Sequence, residues 1–472
     1  MSPLIFASFQ ALSPNGVIGS SWRDPSNTQT DYLTIEHWTE LARKLESGGF
    51  DFLFFADTYG YPTLDGELIP FAVEAGYNVP MADPVTIVSA IAAATSKLGV
   101  VLTNSTTHEK PAALARRFAT LDHFTKGRIG WNIVSGGGQS SSTALFGEPM
   151  IPHDERYLQA DDYLQICLRL WEASWADDAL RVDRDAGVYA EPAGVRQVTY
   201  EGEYLRTKGI LTVPPSPQRT PLLLQAGTSS AGRDFAARYA ECVFVGGGDP
   251  AVVARNITAI RDRAEEIGRP RDSVKFLVGA GFVVATTEAE ARRKYDNLLG
   301  FATLEHAAAT FAWSTGVDLL KFDLDKPLPE VRSEIGQTNL DRFRAADGTS
   351  PTVREILEEY RQHGINGTTF IGTPEQVADE VEAFVAATGA DGFLVQQHIT
   401  PGTHDDFIEL LRPELLKRDL MRPTREDVTL REQLLGAGPR VAATHPGAEL
   451  TFTTTPSADD RTTWGNSRAV SS

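Results

Sequence analysis

Short apolar runs alternate with amphipathic stretches from the start of the chain: LIFASFQ (4–10), IEHWTELARKLESGG (35–49), then DFLFFA (51–56). The first and third have the length and unbroken apolarity of strands buried on both faces. The middle one carries apolar residues at helical spacing and ends on Gly48 and Gly49, a C-terminal stop. The alternation repeats with DPVTIVSAIAAATS as helix, LGVVLT as strand, PAALARRFATLDHFT as helix and RIGWNIV as strand. Pro84 and Pro111 fall near helix starts, where a missing N–H does no harm. A Gly- and Ser-rich loop (136–149) leads to a long helix from Asp154 to Trp175, followed by a polar stretch to Pro221 with hairpin-like pieces, which reads as an insertion. The pattern resumes with PLLLQAG, ECVFVGG and SVKFLVGAGFVV as strands between amphipathic helices. Residues 286–370 are helical and polar by turns and read as a second insertion, before a last helix, strand and helix.

Eight strands are therefore predicted, at 4–10, 51–56, 98–102, 128–134, 222–226, 241–246, 275–284 and 391–397. Strands that alternate with helices specify an α/β chain, and eight of them a (β/α)8 TIM barrel, here with insertions after strands four and seven. An open doubly wound sheet competes, but no GxGxxG follows the first strand. Residues 1–435 form one domain on this reading, and 436–472, rich in Thr, Ser, Gly and Pro, an extended or disordered tail.

The chain has 472 residues, 42% of them hydrophobic, enough for a large core, and a formal charge of −19 that disfavours nucleic acid and anionic membranes as partners. The N-terminal segment has no basic n-region, and no window approaches the roughly 18 to 20 apolar residues of a spanning helix. A soluble, cytoplasmic protein is expected, with Cys167 and Cys242 as buried reduced thiols. No metal site is expected: HExxH is absent, and His108, His153 and His306 are far apart in sequence.

In a barrel, chemistry gathers at the carboxyl ends of the strands. The residues there are Asp57 after strand two, Thr103 to His108 after strand three, Asn132 and Ser135 after strand four, and Gly227, Thr228, Ser229 and Ser230 after strand five. The segment QAGTSSAGR puts small residues and hydroxyls at a helix N-terminus, which suits an anion such as phosphate; Ser229 reads equally as an ordinary cap. HDERY (153–157) adds Arg156 and Tyr157 at the start of the long helix, either for a phosphate or for packing. Asp57 is a general base, a hydrogen-bond acceptor or a loop cap. Thr103 and Asn132 end adjacent strands and are placed to meet over one ligand or to satisfy each other.

FDFLFFAD (50–57), ARRFATLDHFTKGRIGWNIVSG (115–136), HDERYLQADDYL (153–164), PPSPQRTPLLLQAGTSSAGRDFAARYAECVF (214–244) and IGTPEQVADEVEAFVAATGADGFLV (371–395) together resemble bacterial luciferase-like flavin monooxygenases. The branch is that of the large components of nitrilotriacetate and dibenzothiophene-sulfone monooxygenases, and the match covers about residues 4–435. The resemblance implies a monooxygenase that takes reduced FMN from a separate flavin reductase, oxidises a small organic substrate with dioxygen, and assembles as a homodimer or homotetramer. It implies that Gly227, Thr228, Ser229 and Ser230 hold the FMN phosphate with Arg156 and Tyr157. Asp57, Thr103, Asn132 and His153 would line the ring or ribityl chain, with Thr103 and Asn132 the catalytic pair for oxygen activation. Relatives often carry His-Thr-Gly in the second insertion where this chain has Trp313, Ser314, Thr315 and Gly316, so Trp313 and His306 become candidates for a different substrate surface or, equally, for plain packing. A non-catalytic flavin carrier and a deazaflavin-dependent oxidoreductase on the same fold are the alternatives.

Overall fold

The computed structural model describes residues 3–16, 19–136, 139–227, 229–333, 340, 343, 350–363, 367–423 and 427–452. Its centre is a closed parallel barrel of β1 (Ile5–Gln10), β2 (Phe52–Phe55), β3 (Gly99–Ser105), β4 (Ile129–Val134), β5 (Leu222–Gln225), β6 (Cys242–Val245), β7 (Lys275–Val284) and β8 (Gly392–Gln396). The sheet runs β6-β5-β4-β3-β2-β1-β8-β7, and pairing of β6 with β7 closes it. All eight strands lie where the apolar runs place them.

Alternation along each strand builds two cores. Ile5, Ala7, Phe52, Phe54, Val101, Leu222, Leu224, Cys242, Phe244, Leu277 and Leu394 fill the barrel, while Phe6, Leu53, Phe55, Val100, Leu102 and Leu223 pack under the surrounding helices. Both faces are buried, so the strands read as continuous apolar runs. Cys167 and Cys242 are both buried and unbridged.

The amino end of the barrel is plugged by helix Leu430–Leu435. Leu430 and Leu434 join the interior cluster, and Leu430 Cδ1 lies 2.6 Å from where a Cβ on Gly99 would stand, so a side chain at position 99 would collide with the plug.

A ninth strand, Thr369–Gly372, pairs with Gly281–Val284 of β7 and was not among the eight expected. It has only four residues, and it exists because β7, ten residues long, offers a free edge beyond the barrel. The polar stretch before β5 forms two hairpins, Leu180–Asp183 with Val188–Ala190 and Val198–Glu201 with Arg206–Gly209. The second is tied to the long helix His153–Ala173 by Asp162, which accepts from Tyr200 Oη at 2.6 Å and from Tyr204 N at 2.7 Å. Between β7 and the ninth strand, helices Leu304–Thr315 and Val353–His363 share a separate apolar cluster that includes Phe311, Leu319, Ile356 and Tyr360. Of the expected tail, residues 437–452 run back over the helices, with Arg440 Nη2 2.5 Å from Glu172 Oε2 and His445 Nε2 2.9 Å from Tyr239 O. Residues 453–472 lie outside the described residues.

Candidate active site

Strand parity decides which polar residues reach the top of the barrel. Val101 faces the interior, so Thr103 does too; Gly130 lies where a Cβ would meet Leu224 and Val101, so Asn132 follows it inward. The register pairs Thr103 with Asn132, and Asn132 Nδ2 donates to Thr103 Oγ1 at 3.0 Å. Both are buried, and Asn132 Oδ1 has no partner among the described residues. A buried amide oxygen left unpaired costs about 1–3 kcal/mol, a cost that is removed when a ligand donates to it.

Above this pair lies a narrow cleft lined by Asp57, Tyr59, Thr103, Asn104, His108 and Gly136 among others. Burial, then the nearby carboxylates of Asp83 and Glu109, push the Asp57 carboxyl up to about 7, against a single lowering contact from the Thr58 backbone N–H. Near neutral pH it is therefore partly protonated and able to donate a hydrogen bond. Glu109 itself is held by Arg117 Nη1 at 2.7 and 2.8 Å.

A second group stands over β5. Ser229 caps helix Ser230–Tyr239, its Oγ accepting from Gly232 N at 3.1 Å, as the ordinary cap reading expects. The backbone passes close to its neighbours at two glycines: a Cβ on Gly227 would lie 2.5 Å from Tyr157 Oη and 2.3 Å from Gln225 Nε2, and one on Gly232 2.9 Å from Tyr157 Oη. Burial raises the Tyr157 phenol, while Ser229, Ser135, Arg156 and Gln225 around it oppose the shift. Gln225 Oε1 is buried without a partner among the described residues. Arg156 is buried one residue before Tyr157, with Nη1 3.5 Å from Gly136 O, so Gly136 borders both the cleft and this group. His153 is on the rim, its Nδ1 2.9 Å from Asp154 Oδ1 and its ring 5.4 Å from that of Tyr157. Thr228 lies outside the described residues.

The structure thus brings Asp57 and Thr103 to one cleft, with Asn132 bonded to Thr103, and Arg156, Tyr157, Gly227, Ser229 and Ser230, with His153, to an adjoining cradle. His306 does not remain open for a substrate: Nδ1 accepts from Thr303 N at 3.1 Å and Nε2 meets Ser20 Oγ at 2.8 Å, a satisfied helix cap. Two glutamines were missed. Gln225 ends β5, and Gln396 ends β8 in phase with interior Leu394, buried, with Nε2 unpartnered among the described residues. A polar residue closing an apolar strand was the available signal for both. Among the described residues no three His, Cys, Asp or Glu side chains gather as metal ligands, and no helix is long and apolar enough to cross a membrane.

Residues 17–392 match the family described as luciferase-like monooxygenase. The chain belongs to that family. It is 39% identical over 420 residues to the long-chain alkane monooxygenase of Geobacillus thermodenitrificans, spanning 88% of this chain and 90% of that one. It is 37% identical over 431 residues to the dimethyl-sulfide monooxygenase of Hyphomicrobium sulfonivorans, spanning 91% and 90%. The solved structure of a riboflavin lyase with modified FMN and riboflavin superposes with a TM-score of 0.91 at 39% identity, covering 96% of this chain and 100% of that one. As a member of the luciferase-like family, the chain is an enzyme, a flavin-dependent monooxygenase, and the cleft and cradle are its candidate active site.

Proposed function

We propose that the enzyme takes reduced FMN from a separate reductase and uses it, with dioxygen, to oxygenate a small organic substrate. The observation that carries this reading is the adjacency of two unlike sites at the carboxyl end of the barrel: a helix N-terminus built from Gly227, Ser229 and Ser230 and a buried amide–hydroxyl pair with an unmade hydrogen bond. FMN carries a dianionic phosphate and a flat heterocycle edged with donors and acceptors. The residues present fit both parts. Backbone N–H groups and the Ser229 and Ser230 hydroxyls at the helix start, beside the Tyr157 phenol and the Arg156 cation, would hold the phosphate. Thr103, Asn132 and the partly protonated Asp57, with His153 at the rim, would hold the ring and ribityl chain.

When bound, reduced FMN supplies the electrons that activate dioxygen. The chain's own part is orientation and exclusion of water. The Thr103–Asn132 pair is fixed by strand register, so its groups need no reorganisation when charge develops beside them. Neither is acidic enough to release a proton there. Partnership with a reductase, FMN as the flavin, and assembly into a homodimer or homotetramer all belong to this proposal.

The test is a titration of the purified protein with FMN and with riboflavin, followed by photoreduced FMN and isotope-labelled dioxygen in the presence of hexadecane, dimethyl sulfide or riboflavin. FMN is expected to bind at least about tenfold more tightly than riboflavin because of the phosphate cradle, and label to enter an organic product. Equal affinity for the two flavins would remove the cradle from the reading, and absence of any flavin binding would overturn it.

A further inference from the structure

His108 is held in a way that the flavin reading leaves unexplained. It follows β3 across two threonines that lace the loops after β3 and β4, with Thr106 N donating to Val134 O at 3.0 Å and Thr107 Oγ1 to Ser135 O at 3.0 Å. Its ring lies flat on Phe146, centroids 4.5 Å apart at 15°, and meets the edge of Tyr59 at 6.1 Å. Nδ1 is 2.9 Å from Glu148 Oε2. The imidazole side chain is 2% exposed, whereas that of Glu148 is 42% exposed. Nε2 is buried, belongs to a side chain lining the cleft with Asp57, Thr103 and Asn104, and has no partner among the described residues.

These contacts set a polarity. A carboxylate on Nδ1 holds the proton there, so in the neutral ring Nε2 carries the lone pair and is an acceptor. Clamping between two aromatic rings prevents Nε2 from turning to solvent for its missing bond. Beside it lies an apolar patch: Tyr59 and Phe146 stack edge to face at 5.0 Å, and both stay partly exposed, as do Leu145 and Met150 on the same segment as Phe146. A ligand that enters from this side meets an oriented acceptor next to apolar rings, with the polar side chains of Asp57, Thr103 and Asn104 further along the cleft.

We propose that His108, oriented by Glu148, recognises a hydroxyl or N–H donor on a substrate in this cleft whose apolar part packs against Tyr59 and Phe146. His108 is then a substrate-binding residue and Glu148 a positioning residue. The proposal rests on the reading of the cleft as the substrate side of the flavin site.

The experiment uses matched probes, 1-octanol and its near-isosteric ether methyl heptyl ether, titrated calorimetrically into full-length protein with and without saturating oxidised FMN. The alcohol is expected to bind about tenfold more tightly than the ether, the size of one well-placed hydrogen bond. His108→Phe keeps the stacking and removes the acceptor; it should abolish the discrimination while leaving FMN affinity unchanged. Glu148→Gln can present its amide N–H to Nδ1, which turns Nε2 into a donor. It should raise the affinity for the ether, whose oxygen can then accept from Nε2–H as the alcohol's can, and so narrow the gap between the probes, an effect that mere loss of packing does not produce. Equal binding of both probes to the wild type, or binding of neither, overturns the proposal, since Nε2 is then satisfied by water alone. A fall in FMN affinity in His108→Phe with probe discrimination intact also overturns it, by assigning His108 to the flavin. Failure of the flavin reading is separate: it appears as no FMN binding to the wild type, whereas probe discrimination is still scored on the flavin-free protein.

Discussion

Arg431 at the amino end of the barrel and the amides that close its strands at the carboxyl end meet burial in opposite ways. At the amino end, Arg431 is 1% exposed, and each of its five N–H donors is used: Nε and Nη2 on the Glu241 carboxylate at 2.7 and 2.9 Å, and further bonds to the carbonyls of Thr220, Pro221 and Pro439. Glu241 Oε2 also accepts from Leu223 N at 3.0 Å. Burial alone would raise the Glu241 carboxyl, but Arg431 reverses this and holds it below the usual carboxylate range. At the carboxyl end the same sheet carries Asn104 Oδ1, Asn132 Oδ1, Gln225 Oε1, Gln396 Nε2 and both nitrogens of His398 buried without partners among the described residues. A group whose donors are all completed by the protein, like Arg431, belongs to a closed structure, whereas unmade bonds aimed over the carboxyl ends of the strands are available to a ligand.

The sharpest way to break this contrast is to remove a partner at the amino end. Arg431→Ala leaves Glu241 buried and unpaired, which should cost about 3–5 kcal/mol. Equilibrium unfolding in urea should show the midpoint falling accordingly. Replacing the pair together, Arg431→Met with Glu241→Gln, should recover much of the loss, because no uncompensated charge remains. An Arg431→Ala protein as stable as the wild type would remove the distinction between the ends.

The same operation at the carboxyl end should give the reverse result. Asn132→Leu replaces a half-satisfied amide with an apolar side chain of similar size, so stability should change by less than about 1 kcal/mol or rise. Oxygenation driven by reduced FMN should nonetheless fall by about 100-fold, as for loss of one preorganised donor. A variant that loses stability and keeps its activity would make Asn132 a structural residue.

How much of this was legible in the sequence follows from the same geometry. Strands buried on both faces leave continuous apolar runs, so all eight barrel strands could be found; the four residues of Thr369–Gly372 form a strand only because β7 overhangs the barrel, a tertiary cause with no local signal. The helix start after β5 was legible because a Ser after small residues signals a cap, and Ser229 is that cap. Gln225 and Gln396 are marked in the sequence as polar residues closing apolar strands, but what each faces follows only once register is known. His306 shows the converse: a histidine in an inserted segment suggested a substrate contact, yet the neighbouring Thr303 makes it half of a capping box.

The cradle allows a smaller test. Gly227→Ala would put a methyl group into the space now held by Tyr157 Oη and Gln225 Nε2, so both must move away from the loop. FMN affinity should weaken by about tenfold while riboflavin affinity changes little, because only the phosphate is touched. Parallel loss for both flavins would place the glycine under the ring instead.

Asp57 should give the smallest effect and the most direct check on the electrostatics of the cleft. Its carboxyl is pushed up to about 7 in the folded protein by burial, Asp83 and Glu109, whereas in the unfolded chain it titrates at about 3.9. Below the unfolded value the proton is bound in both states. As pH rises from there, the unfolded chain releases the proton first, so stability falls until the folded carboxyl has also ionised, at about 7, and is then level. Three units correspond to about 4 kcal/mol at most, and relaxation around a charged carboxylate at the cleft surface should reduce this to about 1 kcal/mol. Asp57→Asn cannot ionise and should escape the loss. Its unfolding midpoint should therefore match the wild type at about pH 4 and exceed it by about 1 kcal/mol at about pH 8. A constant difference between the two proteins across that window would mean that Asp57 is solvated as an ordinary surface carboxylate, and that the unpaired groups beside it face water rather than a desolvated cleft.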